Sequence, residues 1–194
     1  TTIQPLSGSG QIDLMNGKIG LISIGVSNTR NKFVGPSANE TDVVYSNSFK
    51  AQADADPDKN PKVIIVNGAQ GSRPLSDWNS DTSTVWSILD SRLSTAGIAP
   101  LQVQTAWIEL HDKAYTTLFP DSELVDKTKL ENVLRIAKVK YLNLKIAYLS
   151  SRTYGGYSDR TSTNIDDESL PGKLHAYQSA WVQKWIIEDQ INGL

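Results

Sequence analysis

Apolar positions fall along this chain in two rhythms. Short runs rich in β-branched residues read as buried strands. They cover residues 18–24 (Ile19, Leu21, Ile22, Ile24), 62–66 (KVIIV), 102–108 (QVQTAWI) and 144–149 (LKIAYL). Between and after them, apolar residues recur at helical spacing. One set is Val85, Trp86, Ile88, Leu89 and Leu93, started by Ser83 or Thr84 and stopped by Gly97. A second starts at Asp121 or Ser122 and carries Leu124, Val125, Leu130, Val133, Leu134 and Ala137. A third, over residues 174–191, carries Tyr177, Ala180, Trp181, Trp185, Ile187 and Ile191. A further helix is expected over Thr41 to Ala53, and residues 26–39 read as loop with one helical turn. Strand and helix alternate four times, which predicts a three-layer α/β/α sandwich. Its sheet is parallel and flavodoxin-like, of four to five strands joined by right-handed crossovers. Residues 1–16, rich in Ser and Gly, read as an arm over the domain or a linker, and residues 17–194 as the α/β domain.

Bulk composition narrows the function classes. The 194 residues suit one domain, and a net charge of -2 without a basic block excludes a nucleic-acid binder. No apolar run approaches ~20 residues, so no membrane insertion is expected. Cysteine is absent, which removes disulfides, thiolate metal sites and a cysteine nucleophile. The chain opens Thr1-Thr2; the reading is a secreted or extracytoplasmic protein whose leader is absent from this chain, or an excised fragment. Oligomeric state is left open. Asp54, Asp56, Asp58 and Asn60 alternate like the start of a calcium loop. Pro57, Lys59 and Ile65 break that pattern, so no metal site is expected and a solvated turn is the better reading. Trp86, Trp181 and Trp185 sit at core spacing, whereas Trp78 lies in a polar loop and is the candidate for stacking on a sugar.

Every strand runs into a polar cluster: Ser27-Asn28, Asn67 to Gly71, Glu109 to Asp112, and Ser150 to Arg152. In a parallel sheet these clusters share the carboxyl edge, where ligands bind. Gly25-Val26-Ser27-Asn28-Thr29 resembles the first block of the SGNH (GDSL-like) hydrolases, in which Gly-x-Ser follows the first strand. It is nearest the branch of sialate O-acetylesterases and acetylxylan-esterase-like proteins. Asn67-Gly68-Ala69-Gln70-Gly71 resembles the second block, and Trp107 to Asp112 loosely resembles the third. His175 lies near where the family keeps its base.

The resemblance implies a serine ester hydrolase that deacetylates a carbohydrate or similar small ester without a cofactor. Ser27 would be the nucleophile, the Ser27 and Gly71 amides the oxyanion hole, and His175 the base; His111 is the other imidazole. Asn28, Asn67, Trp78, Glu109 and Arg152 are the candidate substrate contacts. Three features depart from the family. Glu109 replaces an amide donor, and ionised there it would repel an oxyanion. Gly172 occupies the usual acid position, leaving Asp166, Asp167 or Glu168 to substitute, with Asp167 as the chosen candidate. A fifth strand is not visible between Ser151 and Lys173. The rival expectation is a catalytically silent SGNH-like module that binds a glycan or a protein.

Overall fold

A computed structural model describes residues 2–36, 44–112, 118–154 and 171–193. Its centre is a four-stranded, all-parallel sheet of β1 (Ile19–Gly25), β2 (Val63–Val66), β3 (Val103–Glu109) and β4 (Ile146–Leu149) in the order β2-β1-β3-β4. Helices flank both faces: α1 (Ser27–Phe33), α2 (Phe49–Ala55), α3 (Leu75–Trp78), α4 (Thr84–Thr95), α5 (Asp121–Lys140) and α6 (Pro171–Ile191). The architecture is the α/β/α, flavodoxin-like sandwich expected from the alternation.

Strand alternation sorts side chains to two cores. Ile22, Ile24, Ala106 and Ile108 join Leu89 and Leu93 of α4, Leu130 and Val133 of α5, and Val182 and Ile186 of α6. Ile65, Leu21 and Trp107 meet Phe33 and Val34 on the opposite face. There Trp107 packs edge-on against Phe33 and Phe49, with ring centroids 5.8 and 5.7 Å away. The N-terminal residues lie against the sheet's lower end. Leu6 is buried, and Gln102 and Gln104 donate to the Leu6 and Gln4 carbonyls, each at 2.6 Å.

Helix ends follow local chemistry. Gly97, at φ +66°, lets Gly97 N–H reach the Ser94 carbonyl and Ile98 N–H reach that of Leu93, both at 2.9 Å, closing α4 with a Schellman motif. Two expected helices shift. The one after residue 41 begins at Phe49, where Ser48 Oγ accepts from Ala51 N–H at 3.3 Å; residues 41–43 lie outside the described residues. The expected single turn near residue 26 is the seven-residue α1, because Thr29 and Phe33 are buried one turn apart. The Asp54 to Asn60 turn is held by protein cations and amides: Lys50 and Lys59 reach Asp54 at 2.7 and 2.9 Å, and Asp58 N–H donates to Asp56 at 2.9 Å.

Two helix faces need correcting. On α5, Leu124 and Val125 are exposed; Glu123 and Asp126 are buried instead, in line with Leu130 at helical steps of three and four. On α6 the apolar stripe points outward. Tyr177, Trp181, Ile187 and Ile191 are exposed, while His175, Ala176, Ser179, Val182, Gln183 and Ile186 form the buried face. That face is more polar because it closes the end of the sheet, where Ser179 and Gln183 bond to strand-end backbone at Arg152 N–H (3.0 Å) and the Ser150 carbonyl (2.5 Å).

Candidate active site

The register of the sheet sets the geometry of the rim. Gly25 is level with Glu109, Ile108 with Leu149, and Ile22 with Val66. Just past these strand ends come Ser27, two residues beyond Gly25, His111, two beyond Glu109, and Arg152, three beyond Leu149. The chain leaves β1 toward α1 on one face and leaves β3 toward α5 on the other. Their separation opens a crevice at the switch point of the sheet, the usual ligand position in this architecture. A cavity of about 220 Å³ lies there, lined by Ser27, Asn28, Ser72, Pro74, His111 and Arg152.

Ser27 is the first residue of α1, not its cap: Val26 holds the cap position, and no side chain bonds to the helix end. Among the described residues the Ser27 hydroxyl has no hydrogen-bond partner, so helix capping does not account for it. Gly25 allows this entry into the helix. A Cβ there would meet Thr29 Oγ1 at 2.1 Å and the Glu109 carbonyl at 2.7 Å, the two atoms that bond at 3.0 Å to pin α1 onto β3.

His111 is 7 % exposed and is held from both sides. Its carbonyl accepts from Leu75 N–H at 3.1 Å, and the adjacent Asp112 carboxylate accepts from Ser76 N–H at 2.8 Å and from Lys129. His111 Nδ1 lies 2.6 Å from the Asp112 carbonyl. A carbonyl only accepts, so Nδ1 carries the proton and Nε2 presents its lone pair. That Nε2 is buried and has no hydrogen-bond partner. Burial lowers the His111 pKa below the ordinary imidazole value; the Asp112 carbonyl opposes the shift and the Arg152 charge adds to it.

His175 stands behind this wall, its ring centroid 5.7 Å from that of His111. Arg152 Nη1 donates to His175 Nδ1 at 2.9 Å, which fixes that ring as an acceptor at Nδ1. Burial, then the Arg152 charge, then His111 push the His175 pKa down to about 4.

The other candidates divide. Asn28 and Arg152 line the cavity with Ser27. Gly71 is not among the lining residues, while its neighbour Ser72, at φ +59°, is. A serine in the left-handed region marks local strain at the rim. Asn67 faces inward: its Oδ1 accepts from Ser23 Oγ at 2.9 Å and Ala69 N–H at 3.2 Å, so it shapes the loop after β2. Trp78 is corrected outright. It is 0 % exposed and packs edge-on against Trp86 at 5.0 Å, so it offers no stacking surface. Glu109 is 1 % exposed and accepts from Lys32 Nζ with both oxygens at 2.8 Å. It is spent on an ion pair at the α1 side of the sheet and does not line the cavity. Asp166, Asp167 and Glu168 lie outside the described residues.

What the sequence understates is His111. Its signal was there: an imidazole two residues past a strand end that is in register with Gly25-x-Ser27. Ser72 carries no comparable sequence signal.

No family model, curated protein or solved structure matches this chain. Among the described residues there is no cluster of three or more metal-binding side chains, and no helix is long and apolar enough to cross a membrane.

Proposed function

We propose that this chain is a divergent SGNH-like serine hydrolase acting on a small ester, with Ser27 as nucleophile and His111 as its general base. One observation carries the reading: Ser27, whose hydroxyl is unbonded, and His111, whose Nε2 is buried and unpartnered, both line one cavity at the sheet's switch point. His111 Nε2 accepts the Ser27 proton as Oγ bonds to the ester carbonyl carbon. Collapse of the tetrahedral intermediate breaks the bond to the alcohol, which takes the proton from His111. Water, deprotonated by the same nitrogen, then bonds to the acyl carbon; the Ser27 Oγ–acyl bond breaks, the acid leaves, and Oγ regains its proton from His111. The Ser27 amide, unbonded within the first turn of α1, is the oxyanion donor this chain supplies most directly.

The resemblance favours His175 as base, but electrostatics favour His111. An imidazole whose Nδ1 accepts from a guanidinium must gain its proton beside a fixed positive charge. The Asp112 carbonyl, by contrast, supports a proton on His111. A carbohydrate ester as substrate rests on the resemblance alone, since Trp78 is core.

The test is hydrolysis of an aryl acetate together with labelling by a fluorophosphonate. Ser27→Ala abolishes both, and His111→Gln lowers kcat by about 10²–10⁴-fold. A comparable loss in His175→Gln with little effect from His111→Gln would return the base to His175. The rival reading, a silent binding module, is favoured by the Nδ1 partners: a backbone carbonyl for His111 and a guanidinium for His175, neither of them a carboxylate. Absence of any Ser27 adduct would select it.

A further inference from the structure

Helix α6 carries apolar residues on both of its sides. Val182 and Ile186 on the inner side belong to the main core. On the outer side Tyr177, Trp181, Ile187 and Ile191 are exposed, Tyr177 by 62 % and Ile191 by 74 %. Helix α4, on the same face of the sheet, shows the usual contrast: its exposed residues, Thr84, Ser87, Ser91, Ser94 and Thr95, all carry hydroxyls. A helix that is apolar on both sides is ordinarily covered on both. The outer residues also keep a regular spacing. Tyr177, Ala180, Lys184, Ile187 and Ile191 follow at steps of three, four, three and four, the seam of a helix that pairs with another helix. The seam is about 21 Å long, a continuous stripe rather than scattered surface residues. Phe119, also exposed, widens it, with its ring centroid 6.1 Å from that of Trp181.

The charges on this stripe say what covers it. Lys184 Nζ donates to Glu188 Oε1 at 2.5 Å and lies 5.2 Å from the centroid of the Trp181 ring. Among the described residues Glu188 Oε2 has no hydrogen-bond partner. A second copy, turned about a two-fold axis midway between Lys184 and Glu188, sets its Glu188 against Lys184 and its Lys184 against Glu188. The pair is complementary to itself, as an isologous interface requires. Ammonium and carboxylate groups then alternate around the axis. A parallel pairing would instead bring Lys184 to Lys184, like charge on like. The antiparallel register also sets Ala180 and Trp181, one turn before Lys184, against Ile191, one turn beyond Glu188, of the other copy. Exposed ion pairs fix register and contribute little affinity. Burial of Trp181, Ile187 and Ile191 supplies the affinity.

We infer that the outer stripe of α6 is the interface with a second copy of this chain, the two helices running antiparallel across a two-fold axis between Lys184 and Glu188. The inference is independent of the hydrolase reading, since none of these residues lines the cavity at Ser27. The single chain folds with the stripe exposed, so the dimer exchanges with a folded monomer, and dilute solution reports the monomer.

Sedimentation velocity on the full chain, over a concentration series, tests it. The native chain moves as a monomer when dilute and as a dimer when concentrated. Trp181→Glu raises the dissociation constant at least about tenfold, because it brings a carboxylate into the apolar stripe. Lys184→Glu and Glu188→Lys each weaken the dimer by at least about tenfold, since one variant then presents only carboxylates across the axis and the other only ammonium groups. Mixing these two variants restores a dimer, now of one copy of each, because every charge again meets its opposite. That recovery cannot come from the ion pair within one helix, which stays broken in both variants. Raising salt weakens the mixed dimer. A native chain that is monomeric at every concentration overturns the inference and leaves the stripe to a different partner. A dimer that Trp181→Glu does not weaken, or a mixture of the charge variants that stays monomeric, overturns it too. The native series needs no substitution, so it decides the matter even if a variant fails to fold.

Discussion

Gly25 and Glu109 are paired in register across β1 and β3, and Ser27 and His111, each two residues further on, line the same cavity at the rim. Neither residue is near the other in sequence. Their meeting depends on a sheet order in which β1 and β3 are neighbours and on connections that leave the two strands on opposite faces.

Gly25→Ala tests how narrowly that rim is built. The new methyl group would sit 2.1 Å from Thr29 Oγ1 and 2.7 Å from the Glu109 carbonyl, one of them backbone that cannot swing aside. The expected cost is about 3 kcal/mol, at the upper end for overpacking, and α1 with Ser27 is displaced. Gly8→Ala is the control, since its Cβ would find only Ala99 Cβ, at 3.9 Å. Chemical denaturation of both variants checks the contrast; equal midpoints would show that α1 yields without cost.

His175 gives the fold a directional response to acid. Its folded pKa is depressed to about 4 from the ordinary imidazole value of 6.5, so between those values the unfolded chain binds more protons than the folded one. Stability from this group is complete above pH 6.5 and is lost as pH falls toward 4. His111 acts in the same direction. Urea unfolding from pH 7 to 4 should therefore show a steep loss in the native chain and a shallower one in His175→Gln. An identical slope in the two would remove the buried, arginine-bound imidazole as its cause. Asp112, bonded to Lys129 and Ser76 against the opposing effect of burial, contributes a separate loss below its ordinary value of 3.8.

On α6, adjacent isoleucines separate inside from outside. Ile186 is 8 % exposed and joins the main core, whereas Ile187 is 42 % exposed. Ile186→Ala should cost about 3 kcal/mol and Ile187→Ala less than about 1 kcal/mol. Thermal unfolding of the pair reads this directly. Equal losses would mean that the outer stripe, Tyr177, Trp181 and Ile187, is buried in solution.

Much of the architecture was written locally. Four β-branched runs and the helical spacing of Val85 to Leu93 and of Leu130 to Ala137 depend on near neighbours, and they specify strand, helix and α/β alternation. Gly97 stops α4 because only a left-handed residue completes the Schellman turn. Hydrophobic spacing could not say which side of α6 faces inward. Its most apolar stripe lost to Ser179 and Gln183, which satisfy backbone groups that the sheet end would otherwise bury unpaired. Nor could spacing tell that Trp78 fills the core or that Glu109 meets Lys32, 77 residues away. The sequence by itself settled the layers and placed a serine at a strand's carboxyl end. Tertiary structure alone decided which imidazole and which cation share its cavity, because strand order and register, not chain distance, bring rim residues together.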